Sequence, residues 1–185
     1  MTYVDAVRDQ EKDLKTQVDQ FMASQSIMLA MQGVPGIYLH SLVGSENYEE
    51  GVKESGAKRR INREKLDRDQ LLEELNEEGS FRQQVFDRYR KILKIRKQHQ
   101  AFSPEKKQEI LELDSRVFAL QRAEGSEKIT AVNNLSAEEV KLKIRRDTFA
   151  DCKESLKDLI SGDKYDLNQE ELEISLEPYQ VCWLK

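Results

Sequence analysis

The sequence predicts an α/β segment over residues 1–101, followed by a small antiparallel β-domain over residues 102–185. Two observations carry this. A helix, a tight turn and an unbroken apolar run follow one another near the start, which is how a parallel sheet is written. At Ser103-Pro104 the pattern changes to short runs of period two separated by turn residues, the signature of antiparallel strands.

The helix runs from Leu14 to about Met31, with Leu14, Val18, Phe21, Met22, Gln25 and Leu29 on one face. Met22, Met28 and Met31 belong to its packing surface. Gly33 closes it by accepting a left-handed backbone. Val34-Pro35-Gly36-Ile37-Tyr38-Leu39 is then expected to be a strand buried on both faces. Ser41 to Arg68 has no period, and a structureless stretch of that length is functional or disordered. Leu71, Leu72 and Leu75 mark a short helix stopped by Gly79. Ser80 is the expected N-cap of a longer one, with Phe81, Val85, Tyr89, Ile92 and Leu93 along one face. Strands follow at Glu109–Leu113, Val117–Leu120, Ile129–Val132, Val140–Ile144, Leu156–Ile160, Leu172–Leu176 and Val181–Leu184. The first part is unusual in holding a single parallel-type strand, because such a strand needs neighbours for its backbone donors and acceptors. It reads as part of an α/β domain whose other strands are absent.

Composition narrows the function. Of 185 residues, 35 are acidic and 30 basic, for a net charge of -5, which argues against a general nucleic-acid binder. No apolar run is long enough to span a membrane, and the first residues lack a secretory leader's apolar core. Cys152 and Cys182 are too few and too far apart for a disulfide scaffold or a zinc site, and neither has a basic neighbour to activate a thiolate. A reducing cytoplasm is the default compartment. No cofactor or metal motif is present, and neither a nucleophile elbow nor a phosphate-cradling loop occurs.

The candidate functional residues are few. His40 directly follows the apolar run, where an α/β sheet presents functional groups; it reads either as such a group or as a strand-end histidine satisfied by backbone. His99 ends the long helix, where a cation suits the helix dipole, and is taken as structural. Lys58-Arg59-Arg60-Ile61-Asn62-Arg63 holds arginine forks able to grip phosphates, carboxylates or vicinal hydroxyls, although spacing alone reads it as a solvated surface.

Six stretches together resemble the sucrose phosphorylase and glucosylglycerate phosphorylase subfamily of the α-amylase superfamily of glycoside hydrolases. Residues 30–45 (Ala-Met-Gln-Gly-Val-Pro-Gly-Ile-Tyr-Leu-His-Ser-Leu-Val-Gly-Ser) are similar to the eighth barrel strand and its loop. Residues 56–66, with Ile61-Asn62-Arg63, and Tyr89–Arg96 with Ala101-Phe102 are similar to the subfamily's following loop and last helix. Val117–Arg122, Val132–Ser136 and Leu176–Leu184 are similar to strands of its C-terminal β-domain.

The resemblance implies the terminal segment of a (β/α)8 barrel followed by an antiparallel β-sandwich domain. A whole barrel takes about 250 residues. It also implies a retaining double displacement in which one carboxylate attacks the anomeric carbon, another serves as acid and then base, and phosphate replaces water in the second step. The catalytic Asp and Glu residues of that family lie on earlier strands, so no catalytic residue is expected in this chain and turnover by the chain alone is not expected. Arg63 takes the place of the family's sugar-binding arginine, with Arg59 or Arg60 as further candidates. His40, Ser41 and Tyr48 fall where acceptor and phosphate specificity is shaped. Sucrose phosphorylases often have Asn-Asp where this chain has Asn47-Tyr48, which leans away from sucrose. The implied partners are an α-glucoside and phosphate. An alternative is a non-catalytic interaction module that self-associates through exposed barrel elements, forming a homo-oligomer. A third reading, a sugar-binding β-domain, depends on Trp183 and a few Tyr or Phe residues for stacking.

Overall fold

Capping residues set the helix ends. A computed structural model describes residues 1–149, 154–167 and 170–185. Helix α1 (Tyr3–Val7) starts where the Thr2 hydroxyl accepts from the Asp5 N–H. Helix α2 spans Leu14–Ala30, and Gly33 follows it with φ 106°, a conformation that only glycine adopts without strain. The segment expected to be irregular contains α3 (Leu39–Leu42), α4 (Glu49–Ser55) and a 3₁₀ turn over Lys58–Asn62. These elements are each too short to show a hydrophobic period, so the sequence reads as loop there. Helix α5 (Arg68–Asn76) is capped by the Asp67 carboxylate, which accepts from the N–H groups of Asp69 and Gln70 at 3.0 Å each. Helix α6 (Phe81–Gln98) is capped as expected by Ser80, whose Oγ accepts from the Gln83 N–H at 3.1 Å.

The chain forms two compact units, one of residues 1–22 and 36–90, the other of residues 23–35 and 91–185. In the first, Val4, Val18, Phe21, Val43, Val85 and Tyr89 are buried. Gly44 (φ 63°) lies so close to this core that a Cβ there would sit 3.3 Å from the Phe81 ring.

In the second unit, β1 (Lys107–Leu111), β2 (Val117–Glu124), β3 (Glu127–Asn134) and β8 (Val181–Leu184) form an antiparallel sheet in the order β1-β2-β3-β8. Strands β4 (Val140–Arg145) and β7 (Glu171–Leu176) form a second pair; β5 (Ser155–Lys157) and β6 (Lys164–Asp166) form a third, of which β6 is too short to read from sequence. Alternation does the rest. Val140, Leu142 and Ile144 turn inward with Leu172, Ile174 and Leu176, against Ala119, Val132, Cys182 and Leu184 of the large sheet. Each such side chain contributes about 1.5–3 kcal/mol of burial.

The other face of the large sheet carries Leu120, Arg122, Ala131 and Trp183, all fully buried. The Trp183 ring packs on Phe102 at 4.5 Å between centroids. Arg122 spends all five N–H donors on carbonyl oxygens: Ala30 and Met31 at the end of α2 (3.0 and 2.9 Å), Ser103 (2.7 Å), and Lys106 and Lys107 (3.3 Å each). Arg96 adds bonds to the carbonyls of Leu29 and Gly33. The last carbonyls of α2, which have no partner within the helix, are thereby satisfied by two cations at its negative end.

Several expectations are corrected. Val34–Leu39 is not a strand. Residues 34–38 form neither helix nor strand, and Val34, Tyr38 and Leu39 are 81%, 51% and 55% exposed. Among the described residues no strand pairs with them, so β-propensity alone does not make a sheet. Met31 lies beyond the end of α2 and is exposed. Trp183 is fully buried, so it offers no face for stacking on a sugar. Cys182 is buried too, and burial raises its thiol pKa well above the ordinary range; Cys152 lies outside the described residues.

Candidate functional site

Local chemistry gathers the candidate residues within the first unit. Helix α3 turns the chain at His40 and Ser41, and the Ser45 N–H donates back to the His40 carbonyl at 2.7 Å. Ser45 is buried, and its Oγ lies 3.1 Å from His40 Nδ1 and accepts from Arg82 at 3.2 Å. Arg82 has protons only to give, so the Ser45 hydroxyl accepts from it and keeps a lone pair and a proton for its contact with His40 Nδ1. Burial lowers the His40 pKa below its ordinary value; Glu64 opposes this shift and Arg82 adds to it. Burial thus favours the neutral imidazole over the cation at this position.

A cavity of about 360 Å³ opens beside this histidine, lined by His40, Ser41, Ser45, Tyr38 and Asn62 together with residues of α1. The Tyr38 ring lies 5.0 Å from the His40 ring, and its hydroxyl donates to the Asn62 carbonyl at 3.0 Å. No lining side chain is a carboxylate. The cavity therefore offers hydroxyl, imidazole and amide groups that can hold sugar hydroxyls or phosphate oxygens. It lacks the acid pair that cleaves a glycosidic bond.

Tyr48 and Arg60 are together but outside that lining. The Arg60 guanidinium sits 5.8 Å from the Tyr48 ring centroid, and the Tyr48 N–H donates to the Ile61 carbonyl at 2.8 Å. The far side of the Tyr48 ring presses on α4 at Gly51, where a Cβ would lie 2.0 Å from a ring carbon. Arg59 and Arg63 are exposed, and among the described residues neither side chain makes a hydrogen bond or ion pair. His40 and Ser41 thus share a cavity, Tyr48 and Arg60 share a stack, and two guanidinium groups stand free.

Sequence reasoning missed the residues that hold this arrangement. The Asp5 carboxylate accepts from the Asn47 N–H (2.6 Å) and from Gln10 (3.1 Å), and pairs with Arg8 (2.8 Å). The Asn47 side chain accepts from the Thr2 N–H (2.6 Å). Arg8 also pairs with Glu46 (2.7 Å) and lies over the Phe81 ring (4.8 Å). No local signal marks the Asn47 contacts, which join residues more than forty positions apart. His99, in the second unit, bonds through Nδ1 to Glu127 at 2.8 Å, so its partner is a carboxylate rather than the helix end. Among the described residues no group of His, Cys, Asp or Glu is arranged to hold a metal ion, and no helix is long and apolar enough to cross a membrane.

Residues 108–183 match the family described as "Maltogenic Amylase, C-terminal domain". The α-amylase of Geobacillus thermoleovorans shares the fold with a TM-score of 0.70 at 13% identity, over 96% of this chain and 35% of that one. The α-amylase of H. orenii does so with a TM-score of 0.65 at 18% identity, over 90% and 35%. In fold, and over residues 108–183 in sequence, the chain is similar to the C-terminal portion of α-amylases, helices followed by an antiparallel β-sandwich. Its curated relatives are more specific. It is 38% identical to the glucosylglycerate phosphorylase of Spirochaeta thermophila over 100% of this chain and 32% of the relative. It is 30% identical to that of Escherichia coli, over 100% and 31%. The chain spans about a third of the length of these relatives.

Proposed function

We propose that this chain supplies one wall of the glucosyl pocket in a retaining phosphorylase that converts an α-glucoside and phosphate to α-glucose 1-phosphate. Residues 1–101 are the end of its (β/α)8 barrel and residues 102–185 its β-domain, working in the cytoplasm. The observation that carries the reading is the end-to-end match to glucosylglycerate phosphorylases, which favours glucosylglycerate over sucrose as donor. Arg63, free of protein partners, binds a sugar hydroxyl, with Arg59 or Arg60 beside it. His40, Ser41 and Tyr48 shape the side that receives glycerate or phosphate. The nucleophilic and acid/base carboxylates belong to earlier barrel strands, so the chain alone does not turn over.

The test is a chimera in which this chain replaces the matching third of the Spirochaeta thermophila enzyme. It is expected to release glucose 1-phosphate from glucosylglycerate and phosphate, while the 185-residue chain alone releases none. Arg63→Ala in the chimera should lower kcat/KM by about 100-fold or more, the effect of removing a charged contact from a desolvated site. Turnover by the chain alone, a folded but inactive chimera, or an Arg63→Ala chimera of full activity each overturns the proposal.

A second reading, self-association as a non-catalytic module, is favoured by one feature: the unpaired stretch of residues 34–38 and the start of α3, with Val34, Tyr38 and Leu39 exposed. A sedimentation mass that rises with concentration supports it, and a monomer throughout rules it out.

A further inference from the structure

The Asp5 and Arg8 side chains are each only 5% exposed, although Asp5 lies on a helix of five residues and Arg8 caps its end. A helix this short has little stability of its own. What orders it is the loop it grips. Asp5 takes the Asn47 N–H, Asn47 returns its side-chain oxygen to the Thr2 N–H, and Arg8 divides its guanidinium between Asp5 and Glu46. Residues 46 and 47 are thus both held from α1, and the next residue is Tyr48.

We propose that Asp5, with Arg8, is a positioning residue for the Glu46–Tyr48 loop, and that α1 thereby sets the glycerate-receiving side of the site. This rests on the phosphorylase reading above. The carboxylate suits the task because an anion accepts a backbone N–H more strongly than a neutral amide and can serve a guanidinium fork at the same time. Neither residue touches the sugar; each acts through Asn47 and Tyr48.

The experiment uses Asp5→Asn, which keeps the shape and removes the charge, and Arg8→Lys, which keeps the charge and removes the fork. In the active chimera, run toward synthesis with glycerate and glucose 1-phosphate, Asp5→Asn is expected to raise KM for glycerate about 5- to 10-fold. It should leave kcat and the KM for glucose 1-phosphate within about 2-fold. Arg8→Lys should shift the glycerate KM in the same direction by less. In the 185-residue chain, the Asn47 amide resonance should move upfield in Asp5→Asn and exchange faster with solvent. An unchanged Asn47 amide overturns the clasp whatever the chimera does. A uniform loss of every kinetic parameter shows that the pair merely supports the fold, and an unchanged glycerate KM shows that it positions nothing. An inactive parent chimera counts instead against the phosphorylase reading.

Discussion

At His40, burial decides the charge of an imidazole. Arg82 donates to Ser45, the Ser45 hydroxyl lies against His40 Nδ1, and burial disfavours the protonated ring. A stability effect follows. The folded protein holds this histidine with a pKa lowered from 6.5, so on acidification the unfolded chain takes up its proton first. The contribution is complete above that ordinary value and is lost as pH falls through the lowered one. Wild type should therefore lose more thermal stability than His40→Gln between about pH 7.5 and about pH 5.5. Parallel melting-temperature profiles for the two proteins would refute the lowered pKa. The guanidinium groups at Arg59 and Arg63 pose a different question, since they have no internal partner and their role depends on what comes to meet them.

The end of α2 shows how an element is finished by residues far away in the chain. Arg122, on β2, serves carbonyls at Ala30 and Met31, and Arg96, on α6, serves those at Leu29 and Gly33. Lysine cannot reproduce a planar fork with five donors. Arg122→Lys should therefore cost about 3 kcal/mol in urea denaturation, because it strands several buried carbonyls; a loss below about 0.5 kcal/mol would show them satisfied some other way. Elements of this kind were largely legible in the sequence. Leu14 to Leu29 repeats with helical period, Ser80 is a cap, and Val140-Lys141-Leu142-Lys143-Ile144 alternates with the pleat. What could not be read depends on partners distant in sequence: Arg122 looks like one more strand cation, and Asp5 like an acid on a short polar stretch. The helices between Leu39 and Asn62 also escaped, because elements of four to seven residues complete too few turns to show a period.

For the molecule as a whole, the informative error is Val34–Leu39. Its composition is that of an inner strand, and its expected burial fails because burial belongs to neighbouring strands, none of which lies alongside it among the described residues. The same logic bounds the site. The chain carries groups able to hold a sugar or a phosphate, whereas the acids of the chemistry fall, by resemblance, on other strands. If the exposed stretch finds a second copy, the apparent mass will climb with concentration, and replacing Val34 and Leu39 with lysine should abolish that climb without shifting the melting temperature of the monomer.

That bare stretch also has a practical use. The N–H groups of Val34, Gly36, Ile37 and Tyr38 donate to no described acceptor, so deuterium from solvent will enter them early, ahead of the protected amides of α2 and β3. The isotope content of a single short peptide thus becomes a meter of occupancy: it stays high while the backbone is bare and drops once another strand lies alongside, whichever molecule provides it.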